Sequence, residues 1–436
     1  MMKSKLILKD GLIIDPARSI EVRGDVVIEG GKIIDSGPGA AASHSENADV
    51  VELNGMIITP GFIDMHCHLR EPGFEDKETI KTGSLAAAAG GFTTICAMPN
   101  TQPPADSAST LSFIAQTSTR DSLVRVLPIG CVTAGRAGRE LAPMIELAGA
   151  GAVGFSDDGS PVGDAWIMLR ALEYSKPLGL PIINHCEDLS LVANGQMNEG
   201  KISTLLGIPG NPSISEEVMI ARDTILAEYT GAWVHIAHIS TAGGVEIVRQ
   251  AKRRGVRVTA EATPHHLCLT EYAVMDYDSM ARVNPPLRTQ ADIEALIEGL
   301  NDGTIDIIAT DHAPHTADDK AQEFGLALPG ISGFETALAV LLSLVHAGKI
   351  KMADLLYKMS AGPAAMLSST GLKLGTLEKR AVADIAIIDP DHEWTVDSSV
   401  FLSKGKNSPF HGTRLKGKVK ATIAGGKFVF NEIGKN

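Results

Sequence analysis

The chain alternates between short apolar runs rich in β-branched residues and longer intervals with helical spacing. The apolar runs are GFIDMHCH (61–68), GFTTICAM (91–98), VRVLPIGC (124–131), GAVGFSD (151–157), PIINHCE (181–187), WVHIAHIS (233–240), VRVTAEAT (256–263) and IDIIATDH (305–312). The intervals between them exceed the dozen or so residues that a parallel crossover requires, and segments 139–149 and 164–178 carry helical periodicity. Eight such strands in alternation with helices predict an α/β fold, a (β/α)8 TIM-like barrel over residues 60–375. Its chemistry is expected at the C-terminal ends of the strands. Residues 1–59 and 376–436 differ in texture: short alternating strands are broken by Asp-Gly and Gly-Gly, as in KDGLIID, DVVIEGGKIID and VKATIAGGKFVF. They predict one small β-sandwich domain formed by both chain termini.

Composition sharpens this picture. At 436 residues, 44% hydrophobic and 21% charged, with glycine dispersed along its length, the chain is globular and long enough for a barrel with an accessory domain. A formal charge of −13 argues against a general nucleic-acid or anionic-membrane surface, so an anionic ligand would need a local positive pocket. No apolar run reaches the roughly 20 residues of a membrane span, and the N-terminus lacks the apolar core of a secretory signal. A soluble, cytoplasmic protein is expected. The five cysteines, Cys67, Cys96, Cys131, Cys186 and Cys268, are isolated and read as reduced core thiols, with no CxxC pair to hold a structural zinc ion.

The polar residues inside the strands carry the chemistry. His66 and His68 are two apart and share one face of a strand, while Cys67 takes the other. An isolated His-x-His is more often a hydrogen-bonded pair than a metal site. Here, however, His185 ends the fifth run, His238 lies near the end of the sixth, Asp158 follows the fourth and Asp311 ends the eighth. Six His and Asp side chains therefore converge on one barrel mouth. Four imidazoles and two carboxylates form a nitrogen–oxygen donor set suited to zinc. The set exceeds one closed tetrahedral site, which points to catalysis by two ions with a bridging carboxylate and a bridging hydroxide. FSDDG offers Asp157 beside Asp158. His235 has the opposite parity to His238 and reads as packed or outward-facing. His265 and His266, just past the seventh run, either support a ligand from behind or serve structure alone, and His44, His346, His392 and His411 fall outside the mouth. Arg70 can present a planar fork to a carboxylate, or it can pair with Glu71 at the surface.

DMHCHLREPG (64–73) and ATDHAPHTADDK (309–320) resemble the two signatures of the long bacterial dihydroorotase family within the amidohydrolase superfamily. AMPNT (97–101), FSDDG (155–159), NHCED (184–188), HISTA (238–242), RVNPPLR (282–288) and GISGFETAL (330–338) fit the same pattern, so the likeness spans nearly the whole chain. Hydantoinases, allantoinases and dihydropyrimidinases, as families, bridge their metals with a carboxylated lysine after the fourth strand. GAVGFSDDGSP contains no lysine there. The resemblance implies Asp158 in that bridging place, His66, His68 and Asp311 on one Zn2+, and His185 and His238 on the other. It also implies Arg70, Asn100, Asn284 and His315 as substrate contacts, with the backbone at Pro329 and Gly330 bonding the ring. The implied reaction is reversible hydrolysis of (S)-dihydroorotate to N-carbamoyl-L-aspartate, the ring-closing step of pyrimidine biosynthesis in reverse, with Asp311 as the catalytic proton carrier. A homodimer, and an association with aspartate transcarbamoylase, are further expectations. Allantoinase and dihydropyrimidinase are the rival activities, separable by rates on the three rings. A catalytically silent subunit is the rival of another class, but it would be expected to lose metal ligands, and all six are present.

Overall fold

In the computed structural model, which describes residues 5–434, the apolar runs close into a parallel barrel. Phe62–Cys67, Phe92–Ala97 and Arg125–Pro128 pair in order. Ile182–Asn184, Val234–Ile236, Val258–Ala262 and Ile307–Ile308 form a second parallel set. Single parallel bridges complete the ring, from Gly130 to Phe155, Phe155 to Ile182, and Cys67 to His312. The fourth run is thus one bridging residue and not the full strand expected. Local side-chain chemistry explains the difference: the Asp157 carboxylate accepts the N–H groups of Val132 (2.9 Å) and Thr133 (3.1 Å), donors that a longer ladder would have paired with backbone carbonyls.

The helices between the strands follow the expected periodicity where their termini allow it. Ala165–Ser175 is capped by Asp164, whose Oδ1 accepts Trp166 N (2.7 Å) and Ile167 N (3.1 Å), and it buries Met168, Ala171, Leu172 and Ser175 on one face. The helical segment expected over 139–149 is shorter, Met144–Gly149, because Pro143 disfavours a helical conformation in the residue before it. Ala337–His346 is apolar nearly all round and is wedged between the barrel and the strand Arg414–Ala424 of the flanking sheet.

Strands from both chain ends make one eight-stranded sheet. Lys5–Asp15 runs antiparallel to Ile20–Glu29 and parallel to Ala48–Glu52 and Ile57–Pro60, while Ile385–Thr395 joins Ile57–Pro60 to Arg414–Ala424. Leu8, Ile28, Ile58, Ile385 and Ile423 share its core. Residues 1–4 and 435–436, included in the expected β domain, lie outside the described residues. The connection between Ile385–Thr395 and Arg414–Ala424 leaves this sheet and buries Ser403 and Asn407 against the loops of the barrel mouth. Among the described residues, no helix is long and apolar enough to cross a membrane.

Candidate metal centre and active site

The six residues expected at the barrel mouth come together there. Asp158 belongs to two compact groups of potential metal ligands, one with His66 and His68 and the other with His185 and His238. Its Oδ1 lies 3.4 Å from His66 Nε2 and 3.5 Å from His238 Nε2, and its Oδ2 lies 3.5 Å from His68 Nε2. Asp311 Oδ1 approaches His68 Nε2 at 3.1 Å and His66 Nε2 at 3.5 Å. His185 Nδ1 faces His238 Nε2 at 2.9 Å. All six are buried, yet among the described residues His66 Nε2 and Asp158 Oδ1 have no hydrogen-bond partner. Buried polar atoms without partners are costly, and a shared cation would satisfy both. Burial opposes charge at His66, but Asp158, Glu261 and Asp311 outweigh it and raise its pKa. Burial likewise opposes ionisation of Asp158, which His66, His238 and His68 nevertheless hold well below the ordinary carboxylate range. The field at this point favours positive charge. The donors therefore fit bound divalent metal.

Behind the ligands, a row of fixed acceptors selects their tautomers. His66 Nδ1–H donates to Glu261 Oε1 (2.6 Å) and His68 Nδ1–H to Asn100 Oδ1 (2.9 Å), so that both rings turn Nε2 toward the cluster. Glu187 Oε2 lies 3.4 Å from His185 Nε2 and also accepts Asn284 Nδ2 (3.1 Å), which leaves His185 Nδ1 for the cluster. Asp64, two residues before the His-x-His pair, accepts Thr310 N (2.8 Å) and Thr310 Oγ1 (2.6 Å) and so ties the first strand to the eighth beside Asp311. Arg70 (φ 63°), His238 (φ 30°) and Asp311 (φ 47°) occupy left-handed backbone, which costs about 1–3 kcal/mol each and is held only by the surrounding structure. Asp311 lies three residues past the strand end at Ile308, with its carboxylate facing His66 and His68.

Glu261 was not anticipated from the sequence. It sits in VTAEA, fully buried, and gathers His66 Nδ1, His235 Nε2 (3.1 Å) and His238 N (3.2 Å). His235, read as packed or outward-facing, is packed, and its partner makes it part of the support. The available signal was a glutamate inside an apolar strand, which cannot be buried without charged or hydrogen-bonded partners. His266 bonds Thr263 Oγ1 (2.7 Å) and Pro285 O (2.9 Å), a structural role, while His265 is buried with Nε2 unpartnered. Both ride on Pro264–Cys268, a short helix capped by Thr263. Replacing Glu261 with Gln removes the charge that orients two rings, and metal affinity should fall by about 10- to 100-fold with the fold intact. Competition against a chelator measures this, and unchanged affinity would remove Glu261 from the support.

A cavity of about 210 Å3 opens over the cluster, lined by Arg70, Asn100, Asn284, His315, Pro329 and Gly330 in addition to His68, Asp158, His185, His238 and Asp311. A larger cavity of about 350 Å3 lies between the barrel and the sheet, around Trp394, Phe401 and Glu335, and contains none of the cluster. Arg70 Nε donates to Pro314 O (3.3 Å), and among the described residues its guanidinium meets no carboxylate. Burial lowers its pKa to about 10, so it stays cationic near neutrality. His315 Nε2–H donates to Pro329 O (2.9 Å), and the 3.4 Å approach of Arg70 Nη2 to the same nitrogen is therefore a contact between donors. Burial, reinforced by Arg70 and Lys77, lowers His315 to about 3 and keeps it neutral. Gly330 N donates to Arg282 O (2.9 Å), so this amide is engaged within the protein, and Pro329 O keeps one lone pair for a ligand.

Residues 55–243 match a family model described as dihydro-orotase-like. A dihydroorotase from Geobacter sp. (strain M21) is 51% identical over 425 residues, which span 98% of this chain and 99% of that one. The chain belongs to the dihydroorotase family. A second dihydroorotase, from Pelotomaculum thermopropionicum (strain DSM 13744 / JCM 10971 / SI), is 51% identical over 429 residues, 98% of this chain and 99% of its own. Among solved structures, an L-hydantoinase (dihydropyrimidinase) from Arthrobacter aurescens superposes with a TM-score of 0.88 at 25% identity, covering 99% of this chain and 97% of that chain. A dihydropyrimidinase from Brevibacillus agri NCHU1002 gives 0.82 at 22%, covering 98% and 95%, and shares the fold. The barrel with its terminal β-sandwich is thus common to cyclic amidohydrolases. Dihydroorotase relatives carry the likeness in sequence at twice that identity.

Proposed function

We propose that this protein hydrolyses (S)-dihydroorotate reversibly to N-carbamoyl-L-aspartate. The observation that carries the reading is Arg70, a guanidinium that among the described residues has no carboxylate partner, in a cavity beside two groups of potential metal ligands. Dihydroorotate brings the missing carboxylate, whereas neutral hydantoin and dihydropyrimidine rings do not. His66, His68 and Asp311 would hold one Zn2+, His185 and His238 a second, with Asp158 between them. Bound there, divalent cations supply Lewis acidity toward the ring carbonyl and lower the pKa of water toward neutrality. Arg70 binds the substrate carboxylate through a planar two-point fork. Asn100 and Asn284, whose amides already fix His68 and Glu187, border the ring with neutral His315 and the Pro329 carbonyl. The Asp311 carboxylate accepts a proton from the attacking water and returns it to the ring nitrogen as the C–N bond breaks.

Residues 60–375 then form the catalytic barrel and 1–59 with 376–436 the supporting β domain. Trp166, Ile225 and Tyr229 are exposed on the neighbouring helices Ala165–Ser175 and Ile214–Thr230, an apolar face suited to a homodimer. Five free cysteines, four of them buried, suit the reducing cytoplasm. The function is tested by wild-type turnover of dihydroorotate together with Arg70→Lys. The variant should lose about 2–3 kcal/mol in kcat/KM, the scale of a charge-assisted bidentate contact, with metal content unchanged. Near-normal kcat/KM would take Arg70 out of substrate recognition.

A further inference from the structure

The wall of the cavity opposite the metal ligands is held by a residue from outside the barrel. Asn407 lies in the connection between Ile385–Thr395 and Arg414–Ala424, far in sequence from every strand of the mouth, and is 2% exposed. Its Nδ2 donates to Ala313 O (3.0 Å) and Gly330 O (2.9 Å), and its Oδ1 accepts His315 N (3.0 Å) and Ser332 Oγ (2.8 Å). Two donor hydrogens and two acceptor lone pairs are the full capacity of a side-chain amide, and all four are used. The partners come from two loops: residues 313–315, which carry His315 beside Arg70, and residues 330–332, which follow Pro329. The backbone joins in, since Ser332 N donates to Asn407 O (2.8 Å). The approach is close enough that a Cβ on Gly405 would lie 2.5 Å from Pro314 Cβ, so glycine is required two residues before Asn407.

We infer that Asn407 is a positioning residue for substrate binding, a strut that fixes His315 and the Pro329–Gly330 wall relative to Arg70. Only a side-chain amide has this pattern, and glutamine would carry it one methylene too far; an aspartate keeps the shape but turns both donors into acceptors facing the Ala313 and Gly330 carbonyls. Because Asn407 contacts none of the metal ligands, its loss should weaken the ring's placement without disturbing the ions. That signature is a raised KM at nearly constant kcat. The role rests on the dihydroorotase reading, which wild-type turnover tests by itself.

Asn407→Ala and Asn407→Asp should each raise KM for dihydroorotate by about tenfold or more, with kcat within about threefold and metal content unchanged. Amide hydrogen exchange, which needs no substrate, should quicken by about tenfold or more in residues 313–316 and 328–332 and stay unchanged in the barrel strands. Unaltered exchange in both loops would overturn the strut even if the wild type acted on another ring. KM within about twofold of wild type, or kcat and metal content falling together at constant KM, would overturn the role in substrate binding. Failure of both variants to fold would assign Asn407 to folding and overturn it as well.

Discussion

Asp158→Ala is expected to lose both metal ions at micromolar free zinc and, with them, several kcal/mol of Lewis-acid assistance, or about 10^3- to 10^4-fold in kcat. The size of the effect follows from geometry. Asp158 is the one residue common to both ligand groups, its Oδ1 is buried without a partner, and no lysine stands in the FSDDG segment to replace it. Two cations placed together without the anion between them repel in a site screened from solvent. Metal analysis after dialysis, beside circular dichroism to confirm the fold, checks the expectation. Bicarbonate should not restore either ion. Full metal content in Asp158→Ala would mean that the bridge lies elsewhere.

The second large effect is expected at Asp311. Asp311→Asn preserves shape but cannot accept and return a proton, so ring opening and ring closure should both fall by about 10^2- to 10^4-fold. The two directions should also respond oppositely to pH. Carbamoyl-aspartate dianion plus a proton gives dihydroorotate monoanion plus water, so each unit of rising pH favours opening by about 1.4 kcal/mol, or tenfold. In the wild type the opening rate should rise with pH and the closing rate fall, across the range where the whole site titrates as a coupled unit. Substantial turnover by Asp311→Asn in either direction would remove it from proton transfer.

The barrel and the convergence of six His and Asp side chains on its mouth were legible in the sequence because both rest on short-range rules. Strand runs announce themselves through apolar β-branched residues, and these side chains occupy the ends of those runs, so His66, His68, Asp158, His185, His238 and Asp311 could be placed at one mouth from the sequence alone. What the sequence concealed depends on long-range pairing. Glu261 looks like an isolated polar residue until His66 and His235 are seen to donate to it from two other strands. Asn407 lies in a stretch without periodicity, and its four partners are 75 to 94 residues away. The fourth strand failed for a third reason: the Asp157 side chain takes ladder donors that the apolar pattern assigned to backbone.

The most direct test of the whole account is kcat/KM of the zinc-loaded protein on dihydroorotate measured beside dihydrouracil, which has the same ring without the carboxylate. A site that offers a half-buried guanidinium to that carboxylate should prefer dihydroorotate by at least about a hundredfold, because dihydrouracil leaves Arg70 unpaired. Equal or faster turnover of dihydrouracil would contradict the account and make the protein a neutral-ring amidohydrolase.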